Sequence, residues 1–255
     1  MVDLPAAVLA GVFGLSVGSF LNVCIHRLPA DQSLVWPRSY CPRCRTPLRW
    51  YDNMPLLGYA MLRGRCRACQ TPISAMYPLV EAMTAGVFVA GYLLFGAQLL
   101  LVPRLVFACA MIVLLVIDLQ HRILPNVITL PGVLIGFVFS WFLPPGWFDS
   151  LIGLMAGGGI LLLTAEAYYR IRREEGLGMG DVKMLAMIGA FLGWKLMLVT
   201  LVLSSFMGSI VGLTVIALKK GDMKYALPFG TFLAVGALVS SVAGDALLRW
   251  YWGFY

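Results

Sequence analysis

The stretch Gly178-Met179-Gly180-Asp181-Val182-Lys183 places an aspartate just before an apolar run, Met184–Trp194. A carboxylate next to hydrocarbon is energetically costly, so its presence there indicates a function. The two glycines permit positive φ angles and leave room for another backbone or a substrate to come close. A structural alternative is that Asp181 is the N-cap of the following helix. The pattern G-x-G-D is too short to decide between these interpretations by itself.

The composition of the chain is that of a membrane protein. Its 255 residues are 60% hydrophobic and only 12% charged, whereas a soluble domain carries roughly 25% charged residues. Cutting the chain at its charges leaves eight apolar segments, which predict an all-α polytopic fold with about eight transmembrane helices. The segments are Leu4–Ile25, Ala82–Val102, Leu105–Ile117, Ile123–Phe148, Leu151–Tyr169, Met184–Trp194, Leu196–Leu218 and Tyr225–Leu248. Pro103 and the stretch Leu143-Pro144-Pro145-Gly146 are predicted turns.

The first segment, Leu4–Ile25, is predicted to be a retained transmembrane helix. Its length matches the ~20 residues that span a bilayer. The residues before it, Met1-Val2-Asp3, carry no basic charge, and no small-residue cleavage site precedes His26-Arg27. These features argue against a signal peptide.

Pairs of glycines four residues apart recur in the apolar segments. Small residues at this spacing let two helices approach closely in lipid, where apolar burial alone does not drive association. We therefore predict that they pack helices together and have no catalytic role. The pairs are Gly14/Gly18, Gly132/Gly136, Gly153/Gly157, Gly189/Gly193 and Gly208/Gly212. No internal repeat is evident.

Lysine and arginine residues predict the orientation in the membrane. With the N-terminus outside and eight spans, 16 of the 19 basic side chains fall in inner loops. Only Arg104, Lys195 and Arg249 fall outside. The net charge of +7 therefore reflects orientation and contact with anionic lipid, and nucleic acid is not an expected partner.

The loop from His26 to Tyr77 is the one stretch long enough to fold outside the membrane. It holds two C-x-x-C pairs, Cys41/Cys44 and Cys66/Cys69, with 21 residues between them. Two such pairs suit tetrahedral zinc bound by four thiolates, and a cytosolic loop keeps thiols reduced, which favours metal over disulfides. With no ligand to spare, the site is predicted to be structural. Reduced thiol pairs without metal and a rubredoxin-like iron site are the alternatives.

A second aspartate, Asp118, follows the apolar segment Leu105–Ile117. In the predicted topology the third helix reaches the cytosolic face at Asp118, and the sixth leaves that face at Asp181. Their segments are the shortest, with 13 and 11 residues, whereas a span needs about 17 or more; we therefore expect the aspartates to be drawn inward or the bilayer to be thinned. Two carboxylates close together in a low-dielectric site cannot both ionise readily, so the pair holds one proton. One protonated and one ionised carboxyl are what aspartyl proteolysis requires.

Asp118 also has a simpler interpretation, in which a charge at a helix end reaches solvent. Glu81 and Glu166, also near predicted cytosolic helix ends, show how ordinary this placement is. His121 is a candidate base, although a single histidine beside Arg122 is more typical of a solvated loop.

Motifs along nearly the whole chain follow a recognisable order. They are Gly18-Ser19-Phe20-Leu21-Asn22-Val23, His26-Arg27-Leu28-Pro29, the four cysteines with Trp50-Tyr51-Asp52-Asn53-Met54-Pro55 and Leu62-Arg63-Gly64-Arg65-Cys66-Arg67 among them, Tyr77-Pro78-Leu79-Val80-Glu81, Asp118 through Pro125-Asn126, and the glycine–aspartate stretch. This set closely resembles the bacterial type IV prepilin peptidases, which are bifunctional leader peptidases and N-methyltransferases of the A24 aspartic type. The glycine–aspartate motif alone is shared with other intramembrane aspartyl proteases, whereas the ordered set is much more specific.

The resemblance implies roles for the residues singled out above. Asp118 and Asp181 match the catalytic pair, with Gly178, Gly180 and Lys183 as support, and the four cysteines match zinc ligands. It also implies S-adenosyl-L-methionine as methyl donor and associates methyl transfer with the inner loop. The chain then divides into a first helix (1–25), a zinc-binding and methyl-transfer loop (26–77) and a transmembrane peptidase core (78–255). No glycine-rich nucleotide loop following a strand marks the donor site.

The sequence therefore predicts a bacterial inner-membrane enzyme that cleaves the basic leader of type IV prepilins or pseudopilins and methylates the new N-terminus. Such a substrate is cut at the cytosolic membrane boundary, where the topology places both aspartates. Asp52 and Glu81 are candidates for receiving the leader. Two other classes fit parts of the pattern: a proton- or cation-coupled transporter with paired intramembrane aspartates, and a non-catalytic zinc-bearing assembly factor.

Overall fold

The computed structural model describes residues 3–174, 176–218 and 227–253, which form helices joined by turns and loops. Within these ranges the only β-pairing consists of two isolated bridges in the loop after the first helix. The helices are α1 (Leu4–Arg27, followed by a 3-10 turn at Leu28–Ala30), α2 (Leu57–Met61), α3 (Met76–Phe95), α4 (Leu101–His121), α5 (Asn126–Phe139), α6 (Trp147–Arg172), α7 (Met179–Leu218) and α8 (Phe229–Trp252). Of the described helices, six are long and apolar enough to cross a membrane: α1, α3, α4, α6, α7 and α8. The predicted all-α polytopic fold is confirmed.

The eight predicted apolar segments correspond to eight helical stretches, although six helices have the length of a span. α5 is an apolar helix of only 14 residues with Pro131 inside it. α7 has 40 residues but contains one non-helical residue, Gly193 (φ 76°, ψ 172°), which divides it into two parts. The figure of eight spans therefore remains a prediction.

Large apolar side chains cover the outward faces of the long helices. Phe13 is 63% exposed, Leu163 71% and Phe206 66%. Water disfavours so much exposed apolar surface, whereas lipid tails accept it and the helices satisfy their own backbone hydrogen bonds. The outward faces of the long helices are therefore suited to contact with lipid.

The chain forms two compact units, Met1–Leu105 and Val106–Tyr255. In the first unit α1 packs along α3, and the connection between them contains α2. In the second unit α7 contacts α5, α6 and α8. The first part of α7 contributes Met184, Leu185 and Ile188 to a buried core that also contains residues of α4 and α8.

The G-x-x-x-G pairs lie at helix contacts, as predicted. A Cβ atom at Gly14 would lie 2.8 Å from the Cα of Ala85, and one at Gly18 would lie 2.7 Å from the Cα of Glu81. α1 and α3 can approach this closely only because both positions are glycine. The other pairs lie at contacts of α5 with α7, of α6 with α7, and of the second part of α7 with residues 227–232.

Some predicted boundaries need correction. α3 begins at Met76 and ends at Phe95, earlier than the predicted segment Ala82–Val102, because Gly96 follows with φ 67°. Pro103 is not in a turn but in the first turn of α4, where its missing N–H removes no helical hydrogen bond. The predicted turn at residues 143–146 is confirmed between α5 and α6.

The two aspartates lie on helical stretches of different length. Asp118 is inside α4, which has 21 residues, so the prediction of a short helix is wrong there, because an aspartate need not end a helix. Asp181 is in the first turn of α7, and the part of α7 before the break at Gly193 covers only residues 179–192, in agreement with the predicted short segment.

Some predictions concern residues that the structure does not describe. The predicted eighth segment begins at Tyr225, and the predicted inner basic residues include Lys219, Lys220 and Lys224. These four residues lie outside the described ranges.

Candidate active site and metal centre

Asp118 is buried against the N-terminus of α8. The residue is 5% exposed, and its Oδ2 accepts hydrogen bonds from the Thr231 backbone N–H (2.6 Å) and hydroxyl (2.9 Å). The first N–H groups of a helix lack partners within the helix, and a carboxylate both satisfies them and interacts favourably with the helix dipole. Gly230 allows the close approach, since a Cβ there would lie 3.1 Å from Asp118 Cγ. A helix-end charge that reaches solvent therefore does not describe Asp118.

Sequence reasoning missed both Gly230 and Thr231. They lie in the stretch Pro228-Phe229-Gly230-Thr231, and a proline just before an apolar run is a signal for a helix start. Nothing in the sequence connects this helix start with Asp118, because 113 residues separate Thr231 from it.

Asp181 lies in the first turn of α7 and faces back toward the preceding glycine. α7 begins at Met179, so Asp181 is the third residue of the helix and not its N-cap. Its backbone N–H donates to the Gly178 carbonyl at 3.1 Å. An acidic side chain in the first turn of a helix interacts favourably with the helix dipole.

Gly178 and Gly180 provide space and not unusual backbone angles. Neither uses the positive φ angles that glycine permits. A Cβ at Gly180 would lie 2.9 Å from the Cβ of Leu124, and one at Gly178 would lie 3.4 Å from Asp181 Oδ2. The predicted close approach of another group is therefore present at Gly180, whereas Gly178 has only an ordinary van der Waals contact.

The structure brings Asp118 and Asp181 together within the second unit. Their carboxyl groups are close enough to interact electrostatically. Leu124, in the turn between α4 and α5, packs against both Gly180 and Gly230, which adjoin the two aspartates. Asp118 is buried and Asp181 is half-buried, so the pair has an enclosed member and a more open one.

Lys183 joins the starts of two helices. Its Nζ donates to Asn126 Oδ1 at 2.8 Å, linking the first turn of α7 to the first residue of α5. This contact gives the motif lysine a positioning role. His121, in contrast, is exposed at the end of α4, which fits the interpretation of a solvated residue.

The four loop cysteines converge into one cluster. Their sulfur atoms all lie within 4.8 Å of one another, with 3.8 Å between Cys41 and Cys69 and 3.9 Å between Cys44 and Cys66. Four sulfurs bound at ~2.3 Å to a central zinc would be about 3.8 Å apart. All four are free of disulfides, so the cluster has the composition and spacing of a tetrahedral metal site.

The two cysteine pairs belong to a repeated turn. Residues 41–47 and 66–72 share the pattern C-x-x-C-x-T-P, and each turn is closed by an antiparallel bridge, Tyr40–Pro47 and Arg65–Pro72. The expectation that the chain has no repeat is therefore wrong for this loop. The matching threonines were the signal available in the sequence.

The repeated threonines lower the pKa values of two of the cysteine thiols. The Thr71 hydroxyl and backbone N–H lower the pKa of Cys69 to about 6, and Thr46 lowers the pKa of Cys44 in the same way. Since metals bind thiolates and not thiols, these contacts favour the metal-binding form.

The two acidic groups expected to receive a basic leader are already engaged. Asp52 forms an ion pair with Arg67, whose hydrogen bond keeps the pKa of Asp52 below its usual value. Glu81 is 8% exposed, and its Oε2 accepts the Leu56 N–H at 2.8 Å. Neither is therefore a free surface carboxylate.

The fold and these sites define a polytopic helical membrane protein with two adjacent aspartates and a separate four-thiol cluster. The bacterial peptidase A24 N-terminal domain matches residues 12–95, and the type IV leader peptidase family matches residues 105–213. The chain is 37% identical to the prepilin leader peptidase/N-methyltransferase of Aeromonas hydrophila and 34% identical to that of Pseudomonas aeruginosa, in each case over 95% of this chain and 92% of the relative. The Legionella pneumophila relative of the same name is 32% identical over 97% and 94% of the two chains. The chain belongs to the type IV leader peptidase family, as its motifs predicted.

No solved structure matches the chain. Among the described residues six helices are long and apolar enough to cross a membrane, and together with the family membership they make the chain a multi-pass protein of the inner membrane. The comparisons favour neither a transporter nor a non-catalytic assembly factor.

Proposed function

We propose that this protein removes the basic leader of type IV prepilins or pseudopilins and N-methylates the new N-terminus. The observation that carries the proposal is the adjacent pair Asp118 and Asp181 in a chain of this family. The direct test is incubation of purified protein with a prepilin, with mass spectrometry scoring cleavage and the added methyl separately. A transporter or an assembly factor would leave the prepilin intact.

The aspartate pair suits hydrolysis without a covalent intermediate. The ionised carboxyl takes a proton from a water molecule, whose oxygen attacks the scissile carbonyl carbon, while the protonated carboxyl donates its proton to the carbonyl oxygen. Collapse of the resulting tetrahedral diol breaks the C–N bond as the nitrogen accepts the proton taken from water, and a diol hydroxyl returns a proton to the carboxyl that had donated one. We assign the ionised role to Asp118, because two donors from Thr231 converge on its Oδ2 and stabilise negative charge there. Asp181 is then the proton donor.

Thr231→Val is expected to lower kcat for prepilin cleavage roughly 10- to 100-fold with little change in KM, because a hydrogen bond to a charged group contributes about 1.5–3 kcal/mol. Valine keeps the shape and the backbone donor but removes the hydroxyl that bonds to Asp118. Steady-state kinetics on a purified prepilin measure the effect. Thr231→Ser restores the hydroxyl and should restore kcat. Equal rates in the valine and serine variants would show that the Thr231 hydroxyl does not contribute to cleavage.

The proposed cofactor of the loop is zinc, bound by Cys41, Cys44, Cys66 and Cys69. The sulfur spacing fits it, and no fifth protein ligand or open position is needed, so the metal's role is to hold the loop's fold. Iron suits the same four thiolates and is the alternative. The two matching turns, residues 41–47 and 66–72, direct the four thiolates toward a common centre.

Purified protein should contain about one zinc per chain, and Cys41→Ser combined with Cys44→Ser should release it. Metal binding and folding are coupled in small loops, so we expect protease sensitivity within residues 28–75 to rise as well. Elemental analysis gives both the stoichiometry and the choice between zinc and iron. Cys109→Ser, which changes a cysteine outside the cluster, is the matched control. A full complement of metal in the double variant would show that the ligands are misassigned.

The same loop is proposed to serve methyl transfer from S-adenosyl-L-methionine, which supplies an electrophilic methyl group when bound. Residues 26–77 form the proposed zinc-binding and methyl-transfer region, residues 1–25 the first helix, and residues 78–255 the peptidase core. We further propose that the N-terminus is outside and the loop is cytosolic, because the loop carries a large share of the basic side chains. A prepilin presents its leader from the same side.

A further inference from the structure

A leucine in the turn between α4 and α5 lies beside both aspartates, and the peptidase mechanism described above does not use it. A Cβ atom at Gly180, the residue before Asp181, would lie 2.9 Å from the Cβ of Leu124. A Cβ atom at Gly230 would lie 3.0 Å from Leu124 Cδ1 and 3.1 Å from Asp118 Cγ. The Leu124 side chain therefore lies between the starts of α7 and α8, next to the carboxyl pair.

The position of Leu124 is fixed by the residues that follow it and by the core. Pro125 has φ −61°, and a proline restricts the residue before it to extended conformations. The next residue, Asn126, accepts a hydrogen bond from the Lys183 ammonium at 2.8 Å, which ties the start of α5 to the first turn of α7. Leu124 itself packs against the buried core of the second unit. Its side chain is therefore a fixed wall of the site.

Leu124 leaves very little space beside the carboxyl pair. Nonbonded carbon atoms in contact are usually about 3.5–4.0 Å apart, so neither Gly180 nor Gly230 has room for a Cβ atom next to Leu124. Leu124 is half-buried, and the rest of its surface is accessible to a bound peptide. The residue that supplies the scissile carbonyl carries its Cβ only two bonds from the carbon under attack. That Cβ therefore comes close to Leu124 when the carbonyl lies between the carboxyls.

We propose that Leu124 determines which residue can supply the scissile carbonyl, because it excludes long and branched side chains from the space beside the aspartates. A small residue fits there. A larger one displaces the carbonyl from the carboxyl pair, and a misplacement of about 1 Å can cost roughly 100-fold in rate. Leu124 is then a specificity-determining residue that contacts the substrate and transfers no proton. The inference rests on the proposed peptidase function and adds a determinant of the cleavage site to it.

A purely structural role for Leu124 predicts a different result. As a spacer between α7 and α8 it would only position the aspartates, and its loss would slow the cleavage of every prepilin by the same factor. As a wall against the substrate it discriminates between prepilins. The ratio of the kcat/KM values for two substrates separates these roles, because a loss that is common to both substrates cancels in the ratio.

The test uses purified protein in nanodiscs and three synthetic prepilins that carry glycine, alanine or leucine as the residue supplying the scissile carbonyl. Wild-type protein should cleave the glycine substrate with a kcat/KM at least about 100-fold above that for the leucine substrate, with alanine between them. Leu124→Ala should reduce this ratio roughly tenfold or more, since even one methylene group gives roughly 10- to 200-fold discrimination in a close-packed site. Leu124→Val, which removes one carbon, should give an intermediate ratio.

Leu134→Ala is the matched control, because Leu134 is a leucine of α5 that is 64% exposed; this variant should keep the wild-type ratio. Retained cleavage of the glycine substrate verifies that each variant is folded. Equal kcat/KM values of wild-type protein for the three prepilins would overturn the proposal. A ratio that stays unchanged in folded Leu124→Ala or Leu124→Val would also overturn it and would leave Leu124 as a spacer. Wild-type protein that cleaved none of the prepilins would instead overturn the proposed peptidase function.

Discussion

Asp118→Asn and Asp181→Asn should each lower prepilin cleavage by roughly 10³-fold or more, and the double variant should be little worse than either single one. The two carboxyls act as a unit that shares one proton, so removing either member removes the unit. Asparagine keeps the size of the side chain, and the amide oxygen at position 118 can still accept both hydrogen bonds from Thr231. Insertion and folding should therefore persist. The measurement is single-turnover cleavage of a purified prepilin.

Asp245→Asn is the matched control for this pair. Asp245 is an exposed residue of α8, and the same chemical change there should leave cleavage unaltered. Near-normal cleavage by either Asp118→Asn or Asp181→Asn would exclude the paired mechanism. Loss of activity accompanied by loss of the folded protein would instead point to the capping role of Asp118 at α8.

The sequence predicted the fold class well because long apolar segments indicate directly which parts of the chain lie in lipid. Its errors came from using charges as helix ends. Asp118 continues α4, and Pro103 lies in the first turn of the same helix, so neither ends a helix. The break at Gly193, in contrast, lies beside the predicted boundary between the segments Met184–Trp194 and Leu196–Leu218, because Lys195 follows it closely in the sequence.

The sequence identified the residues of the candidate site, but it did not reveal which other residues contact them. Spacing alone singled out the cysteines, and the matching threonines of the repeated turn were readable but missed. The contact of Asp118 with Thr231 was not readable, because it joins residues 113 apart through tertiary packing.

Asp181→Asn should separate the two activities, failing to process prepilin while still methylating a supplied pilin that is already cleaved. Methyl transfer needs a deprotonated amine and a nearby sulfonium, and a carboxyl pair holding one proton contributes to neither. Asp118 and Asp181 both lie in the second unit, whereas the cysteine cluster lies in the first. Mass spectrometry of the pilin N-terminus scores cleavage and the added methyl separately. Loss of methylation with zinc content and folding intact would show that the two sites are one.

Gly64→Val should show the reverse bias, with methylation of pre-cleaved pilin falling at least tenfold, as loss of about 1.4 kcal/mol would give, and cleavage falling less. Gly64 has φ 67°, a conformation that a β-branched residue rarely adopts. A Cβ there would also lie 2.9 Å from the hydroxyl oxygen of Tyr59. The added bulk therefore displaces Tyr59 in the first unit, whereas both aspartates belong to the second. Gly86→Val is the control, because a Cβ at Gly86 meets nothing within 4 Å; equal loss of both activities in Gly64→Val would mean that the loop supports the whole enzyme and is not specific to methyl transfer.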